Sequence, residues 1–329
     1  MFEAREYVSL DKQKVQCQLC PHNCIIAPGK VGICGIRKNI DNKLYALMYG
    51  RASSVAIDPI EKKPIYHFYP GSQILSMGTY GCNFHCPWCQ NWSISQEYDG
   101  ATHTISPFDA VNLGGQKGSI GIAYTYNEPL IWFEYVYDTA KLAKEKGLVN
   151  VLVTNGYINA EPFKKLAPYI DAMNIDLKSF SPDFYKKQCG GKLESVLQTI
   201  EQAVKAKIQV ELTTLLIPGM NDHEQELISM VDWISNLSDT IPLHFSRYFP
   251  QYKSDIPPTP LSNLNQAKNI AQQKLKYVYL GNVHDSESDN TFCPACNNLL
   301  ITREGYWTEI KGIKDKKCSK CNRQVDIIL

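Results

Sequence analysis

No apolar run in the 329-residue sequence approaches the roughly 18 residues of a membrane-spanning helix, so helical membrane insertion is excluded. The opening stretch, MFEAREYVSLDKQKVQCQ, lacks the apolar core of a signal peptide, and the chain therefore reads as cytoplasmic. Charge of one sign is also lacking. The 34 basic and 33 acidic side chains leave a net charge of +1, which argues against a protein whose main work is gripping nucleic-acid backbone. There is no long internal repeat and no low-complexity tract. With 44% hydrophobic and 20% charged residues, the chain can bury a sizeable core.

Cysteine is what the sequence has in quantity. Its twelve cysteines, in a cytosolic chain of this size, read as metal ligands or redox groups rather than as a disulfide framework. They divide by position into Cys17, Cys20, Cys24 and Cys34; then Cys82, Cys86 and Cys89; then Cys189 alone; then Cys293, Cys296, Cys318 and Cys321. Three metal centres follow from that clustering.

Three units are expected. Residues 1–70 are turn-rich and form a four-cysteine metal-binding lobe and arm; 71–283 form the core; 291–329 form a small four-cysteine module after the polar linker 284–290, HDSESDN. In the core, β-rich apolar runs at 74–78, 120–126, 150–154, 172–177, 209–217, 243–249 and 277–280 alternate with amphipathic stretches at 128–146, 161–167, 194–206, 222–237 and 264–274. Strands alternating with helices predict an α/β fold with a parallel sheet and right-handed crossovers, here a partial (βα)6 barrel. Ligands then belong at the C-terminal ends of the strands.

Residues 81–90 read GCNFHCPWCQ, with the spacing Cys82-x3-Cys86-x2-Cys89. Three thiolates on one loop after the first strand can hold three irons of a [4Fe–4S] cluster. No fourth cysteine follows at ferredoxin spacing, so the fourth iron stays open to a substrate or cofactor. The competing reading is a zinc site that borrows a distant ligand or His85 from the loop.

This trio, with Trp88 just before the last cysteine, resembles the radical S-adenosylmethionine (SAM) superfamily. The resemblance implies that the open iron chelates the amino and carboxylate groups of SAM and that Trp88 packs near the adenine. YTYNEP at 124–129 looks like the GGEP-type element, from which Glu128 carries over to the SAM amino group, with Asn in place of the glycine. Thr154-Asn155-Gly156 resembles the activating-enzyme pattern that meets the ribose or methionine, and Asp176-Leu177-Lys178 looks like the DLK element of pyruvate formate-lyase activating enzymes. LIPGMND (216–222) resembles the turn near adenine, and HFSRYFP (244–250) falls where this group has further pocket residues. Taken singly, these pieces have plain structural readings: a turn, a surface ion pair, a helix start. Their shared place at strand ends is what joins them.

The whole chain, over roughly 15–325, is similar to the radical SAM component of the AmmeMemoRadiSam system. The matching pieces are CQLCPHNC, GICGIR, EKKPIYHFYPG, TYNEP, HFSRYFP, VYLGNV and the CPAC/CSKC pair. That likeness implies Memo-like and AMMECR1-like partner proteins and an electron donor such as flavodoxin or ferredoxin. It implies reductive cleavage of SAM to a 5′-deoxyadenosyl radical that abstracts hydrogen from a substrate, with no general base required. A small molecule in a biosynthetic step is the favoured substrate; the alternative is an activating enzyme that installs a glycyl radical on a partner protein. A non-enzymatic zinc-ribbon binding protein is disfavoured by the open trio and the balanced charge.

Cys293-x2-Cys296 and Cys318-x2-Cys321 have the knuckle-pair spacing of a zinc ribbon or rubredoxin-like module, so zinc, or else iron, is expected there. A module of about 40 residues needs the metal to fold. Its basic excess reads as a solvated surface. Cys17-x2-Cys20-x3-Cys24-x9-Cys34 could close a zinc site or bind an auxiliary iron–sulfur cluster; the short polar flanking loops favour zinc. His22 could compete as a ligand but reads as solvated. Cys189, in QCGG, reads as an unpaired residue near a turn.

Overall fold

The computed structural model describes residues 1–97, 100–116, 118–283 and 287–329; positions 284–286 of the expected linker lie outside the described residues. Eight strands form one sheet: β1 (Ser54–Pro59), β2 (Gln73–Gly78), β3 (Ser119–Tyr124), β4 (Val149–Thr154), β5 (Ala172–Asp176), β6 (Gln209–Leu216), β7 (Leu243–Arg247) and β8 (Val278–Gly281). Each strand lies beside its neighbour in sequence, in the order β8-β7-β6-β5-β4-β3-β2-β1. Neighbours from β2 to β8 pair in parallel, and β1 adds an antiparallel edge. The fold is thus α/β with a mostly parallel sheet. Among the described residues no ladder joins β8 to β1, so the order has two ends. The arm before residue 71 supplies the β1 edge.

Two apolar runs leave the sheet earlier than their composition suggests. The run 120–126 ends as strand at Tyr124, and 243–249 ends at Arg247. Tyr126 has a φ of +74°, a conformation that ends extended structure and that a bulky residue adopts only when its surroundings hold it there.

The crossovers carry α1 (Pro107–Gly114), α2 (Phe133–Glu145), α3 (Ala160–Leu166), α4 (Leu193–Lys205), α5 (Glu224–Leu237) and α6 (Leu261–Gln272). Helix α1 is absent from the sequence-based expectation, although SPFD carries its start signal. Ser106 Oγ accepts from the Asp109 N–H at 3.1 Å, and the Asp109 carboxylate accepts from the Ser106 N–H at 3.4 Å, a reciprocal cap. The stretch 128–146 divides into a 3-10 turn, Pro129–Trp132, followed by α2. Helix α4 buries Leu193, Val196, Ile200 and Ala203, one stripe at helical spacing against the sheet. Burying a Leu, Val or Ile side chain there contributes about 1.5–3 kcal/mol.

The N-terminal part makes two three-stranded antiparallel sheets, one from Tyr7–Ser9, Val15–Cys17 and Ile25–Ile26 and one from Phe2–Glu3, Arg37–Ile40 and Lys43–Ala46. It is tied to the core by a buried ion pair, Arg37 to Glu134 of α2 at 2.7 Å. The C-terminal part folds as an antiparallel sheet, β9 (Thr291–Phe292), β10 (Leu299–Glu304) and β11 (Trp307–Ile310). It docks on the arm. Buried Arg303 lies 4.2 Å from the Tyr66 ring centroid and donates to the Tyr66 carbonyl at 2.9 Å. Among the described residues no helix is long and apolar enough to cross a membrane.

Candidate functional site

At the end of β2 and just past it the chain turns out of the sheet at two positions that only glycine fills. A Cβ on Gly78 would stand 2.8 Å from the Thr125 carbonyl, and one on Gly81, whose φ is +94°, would stand 2.5 Å from the Cys34 carbonyl. The loop that follows carries Cys82, Cys86, Trp88 and Cys89 to the wall of one cavity of about 520 Å³. Cys82 Sγ accepts from the Phe84 N–H at 3.3 Å and faces the Asn155 amide at 3.8 Å. Cys89 Sγ lies 3.1 Å from Ser95 Oγ. Trp88 is buried, its ring tilted against Phe184 at 5.4 Å.

The strand ends complete the wall. Glu128 follows β3, Asn155 follows β4, and Asp176 and Lys178 close β5; all four line the cavity. Glu128 is fully enclosed. Its carboxylate accepts from Thr154 Oγ1 at 2.6 Å, the Asn155 N–H at 2.7 Å and the Leu130 N–H at 2.8 Å. Burial pushes its pKa up to about 7 despite these three donors. Lys178 Nζ donates to Asp176 Oδ2 at 2.8 Å. Burial opposes the Lys178 charge, but Asp176 together with the nearby Cys86 and Cys189 outweighs it, and its pKa lies well above that of a free lysine.

Several residues in and behind the cavity wall carry no signal of their own in the sequence. Asn83 accepts from the Asn155 amide at 2.9 Å and so ties the cysteine loop to β4. Tyr126 is held in its strained conformation by its hydroxyl on Asp58 at 2.7 Å and by the Asn91 amide on its carbonyl at 2.6 Å. Burial raises the Asp58 pKa, but bonds from Lys62, Lys63 and Tyr126 dominate and hold it well below the usual carboxylate range. Lys62, Lys63 and Pro64 reach the cavity from the arm, and Tyr306 reaches it from the turn between β10 and β11.

Other candidates point elsewhere. On β7 only Ser246 lines the cavity. His244 lies one layer deeper, with Nε2 2.7 Å from buried Glu211, and Arg247 donates to the Thr259 carbonyl at 2.9 Å. His85 contacts Gln96 at 3.0 Å. Cys189 is a free cysteine just before the turn at Gly190, as its sequence-based reading has it, but it is buried. It sits against the cysteine loop, its carbonyl accepting from the His85 N–H at 3.0 Å, because the turn at Gly190 and Gly191 folds back onto that loop: a Cβ on Gly191 would stand 2.3 Å from Phe84.

The two outer sets differ in size. Cys293, Cys296, Cys318 and Cys321 place all four sulfurs within 4.8 Å of one another. Among the described residues the N-terminal set does not make such a group, although Cys17, Cys20, Cys24 and Cys34 line one small cavity. His22 also lines it, with Nε2 2.8 Å from the Asn83 carbonyl.

A family model described as the Radical SAM superfamily matches residues 77–231, the span from the end of β2 into α5. Over the full length of both chains, the sequence is 46% identical to an uncharacterized protein of Methanocaldococcus jannaschii. It is 27% identical to GTP 3′,8-cyclase of Lactiplantibacillus plantarum, across 74% of this chain and 72% of that one. It is 23% identical to the pyruvate formate-lyase-activating enzyme of Streptococcus mutans serotype c, across 54% of this chain and 73% of the other.

Proposed function

The chain belongs to the radical SAM superfamily, and on that premise we propose that it is an enzyme that cleaves SAM reductively and directs the resulting radical at a small molecule. One observation carries the reading: three cysteines from one loop line the same cavity as Glu128, Asn155, Asp176 and Lys178. The donor set suits a [4Fe–4S] cluster with one iron left to the cofactor, since the cavity lining contains three cysteines among the described residues. A volume of about 520 Å³ lies in the range of small-ligand sites. Cys82, Cys86 and Cys89 would hold the cluster, which would supply the electron for reductive cleavage of the C5′–S bond of SAM to methionine and a 5′-deoxyadenosyl radical.

The chain's own residues bind, orient and shield. Lys178, aligned by Asp176, would pair with the methionine carboxylate by a charge-assisted bond. Glu128 and Asn155, locked together, receive the ammonium end. Trp88 flanks the adenine. Bound substrate and cofactor would have to fill the cavity mouth to keep water from a group that would otherwise react with it. No proton needs to be moved by a side chain, so no general base is assigned.

The small-molecule reading is supported by what rims the cavity. Lys62, Lys63 and Pro64 wall it on one side and Tyr306 on another, which narrows the access of a large partner. The second reading, glycyl-radical activation of a partner protein, is supported by the Asp176-Leu177-Lys178 element and by the similarity to a pyruvate formate-lyase-activating enzyme. We further propose membership of the AmmeMemoRadiSam system, with Memo-like and AMMECR1-like partners and a flavodoxin or ferredoxin as donor. The motif pieces spread across the chain support it. The units 1–70, 71–283 and 291–329 are proposed on the same grounds, with zinc at the last.

Anaerobically reconstituted protein, given reductant and SAM, is expected to form 5′-deoxyadenosine. Alanine at Cys82, Cys86 and Cys89 should abolish it. Retained SAM cleavage in that triple variant would sink the reading. Running the assay with and without the partner proteins, then finding by mass which component loses hydrogen, separates the two substrate classes.

A further inference from the structure

We propose that the central cavity has a second subsite, on the side of the arm, where Lys62 and Lys63 receive an anionic group of the substrate, a carboxylate or a phosphate. That the anion belongs to a substrate rests on the small-molecule reading above; the anion site itself does not. The charged side chains of the described lining are Lys62, Lys63, Lys178, Glu128 and Asp176. Lys178 is matched by Asp176 at 2.8 Å, and Glu128 by its three neutral donors. Lys62 and Lys63 instead share a single carboxylate behind the wall, Asp58, at 2.8 and 2.7 Å. Two ammonium groups on one carboxylate leave one positive charge on that side of the cavity.

The surplus is enclosed. The Lys63 side chain is 2% exposed, and its ammonium stands 4.8 Å from the Tyr126 ring centroid. One of its three N–H donors goes to Asp58 Oδ2, which leaves donors for a ligand. Burial pulls its pKa below that of a free lysine, although Asp58 acts to raise it. An enclosed cation that its partner does not fully offset is stabilised by an incoming anion, which gains a charge-assisted bond in return.

The subsite lies apart from the groups proposed to hold SAM. Asn174 stands two residues before Asp176 on the same face of β5, so it is deeper in the sheet. Its amide donates to the Pro64 carbonyl at 2.7 Å, which fixes the arm at that depth, below the Asp176–Lys178 pair. Strand β6 adds a neutral donor. Thr213 pairs in register with Asp176 and lines the cavity, and its buried hydroxyl has no hydrogen-bond partner among the described residues. Such a group is costly to leave unpaired, and a ligand oxygen in the cavity would accept its hydrogen.

The test is calorimetric titration of the reconstituted full chain, saturated with SAM and without reductant, with inorganic phosphate and separately with sodium acetate, at constant ionic strength in chloride. At least one of the two anions is expected to bind at a single saturable site, and the tighter of them gives the class of the substrate group. Lys63→Met keeps much of the side-chain volume and should weaken that binding by about tenfold or more, the worth of one bond to a charged group. Lys62→Gln, at a more exposed position, should weaken it by a smaller factor. No saturable binding of either anion, or wild-type affinity in either variant, overturns the proposal. If Lys63→Met does not fold, Lys62→Gln decides in the same way. Anion binding that is present without SAM and lost at saturating SAM would put the SAM carboxylate at these lysines, and also overturns it. Anion binding that Lys63→Met weakens, in a protein that neither binds nor cleaves SAM, counts against the proposed function alone.

Discussion

The backbone N–H of Asn155 donates to Glu128 Oε2 at 2.7 Å, which locks the end of β4 to the end of β3 beside the cysteine loop. The bond fixes where the buried carboxylate stands, and burial sets its charge. Because its pKa in the folded protein is about 7 against an ordinary 4.5, the folded state binds more protons than the unfolded state between those values. Glu128 therefore costs no stability below about pH 4.5, and its cost grows as pH rises to about 7, reaching about 3 kcal/mol. Urea unfolding of the metal-free protein at pH 5 and pH 8 should show this fall in the wild type, and Glu128→Gln should reduce it. Identical pH profiles for the two proteins would refute the assignment.

Lys178 donates to Asp176 at 2.8 Å on the cavity wall. Lys178→Met removes a cation while keeping much of the side-chain volume. Equilibrium binding of SAM to the reconstituted variant should weaken by about tenfold to a hundredfold, the worth of one bond to a charged group. Unchanged affinity would place the SAM carboxylate elsewhere.

Arg37 and Glu134 form a buried bidentate pair, with side-chain exposures of 2% and 0%. Arg37→Met leaves the Glu134 charge uncompensated and should cost about 3–5 kcal/mol in chemical denaturation. Arg37→Met combined with Glu134→Leu should recover much of that loss. A single variant as stable as the wild type would show that the pair does not hold the N-terminal part to α2.

The C-terminal part has a small core of its own, including Leu300, Ile301, Val325 and Ile327. That is too little apolar surface to order the segment alone. Stripping its metal with a strong chelator should therefore erase hydrogen-exchange protection in β10 and β11 while α4 and α5 keep theirs. Protection of β10 that survives complete metal loss would contradict this.

The division between sequence and tertiary structure follows the range of the interactions. That Cys82, Cys86 and Cys89 line one cavity was legible because their spacing sets them on one short loop. Glu128, Asn155, Asp176 and Lys178 were legible because alternating strands and helices place strand ends together. Asn83 on Asn155, Tyr126 on Asp58, His85 on the Cys189 carbonyl and Tyr306 at the cavity rim join residues far apart in the chain, with no local signature. His244 and Ser246 share a strand face, yet the height of each within the sheet put one beside Glu211 and the other in the cavity.

By itself, then, the sequence determined the cysteine groupings, the alternation of elements and the end of the sheet where the candidate residues gather, since spacing and periodicity are local properties of the chain. Tertiary structure alone decided that the C-terminal sulfurs close to single-ion distance and the N-terminal ones do not. How far apart two knuckles stand is set by the packing beneath them, and no spacing between cysteines encodes it.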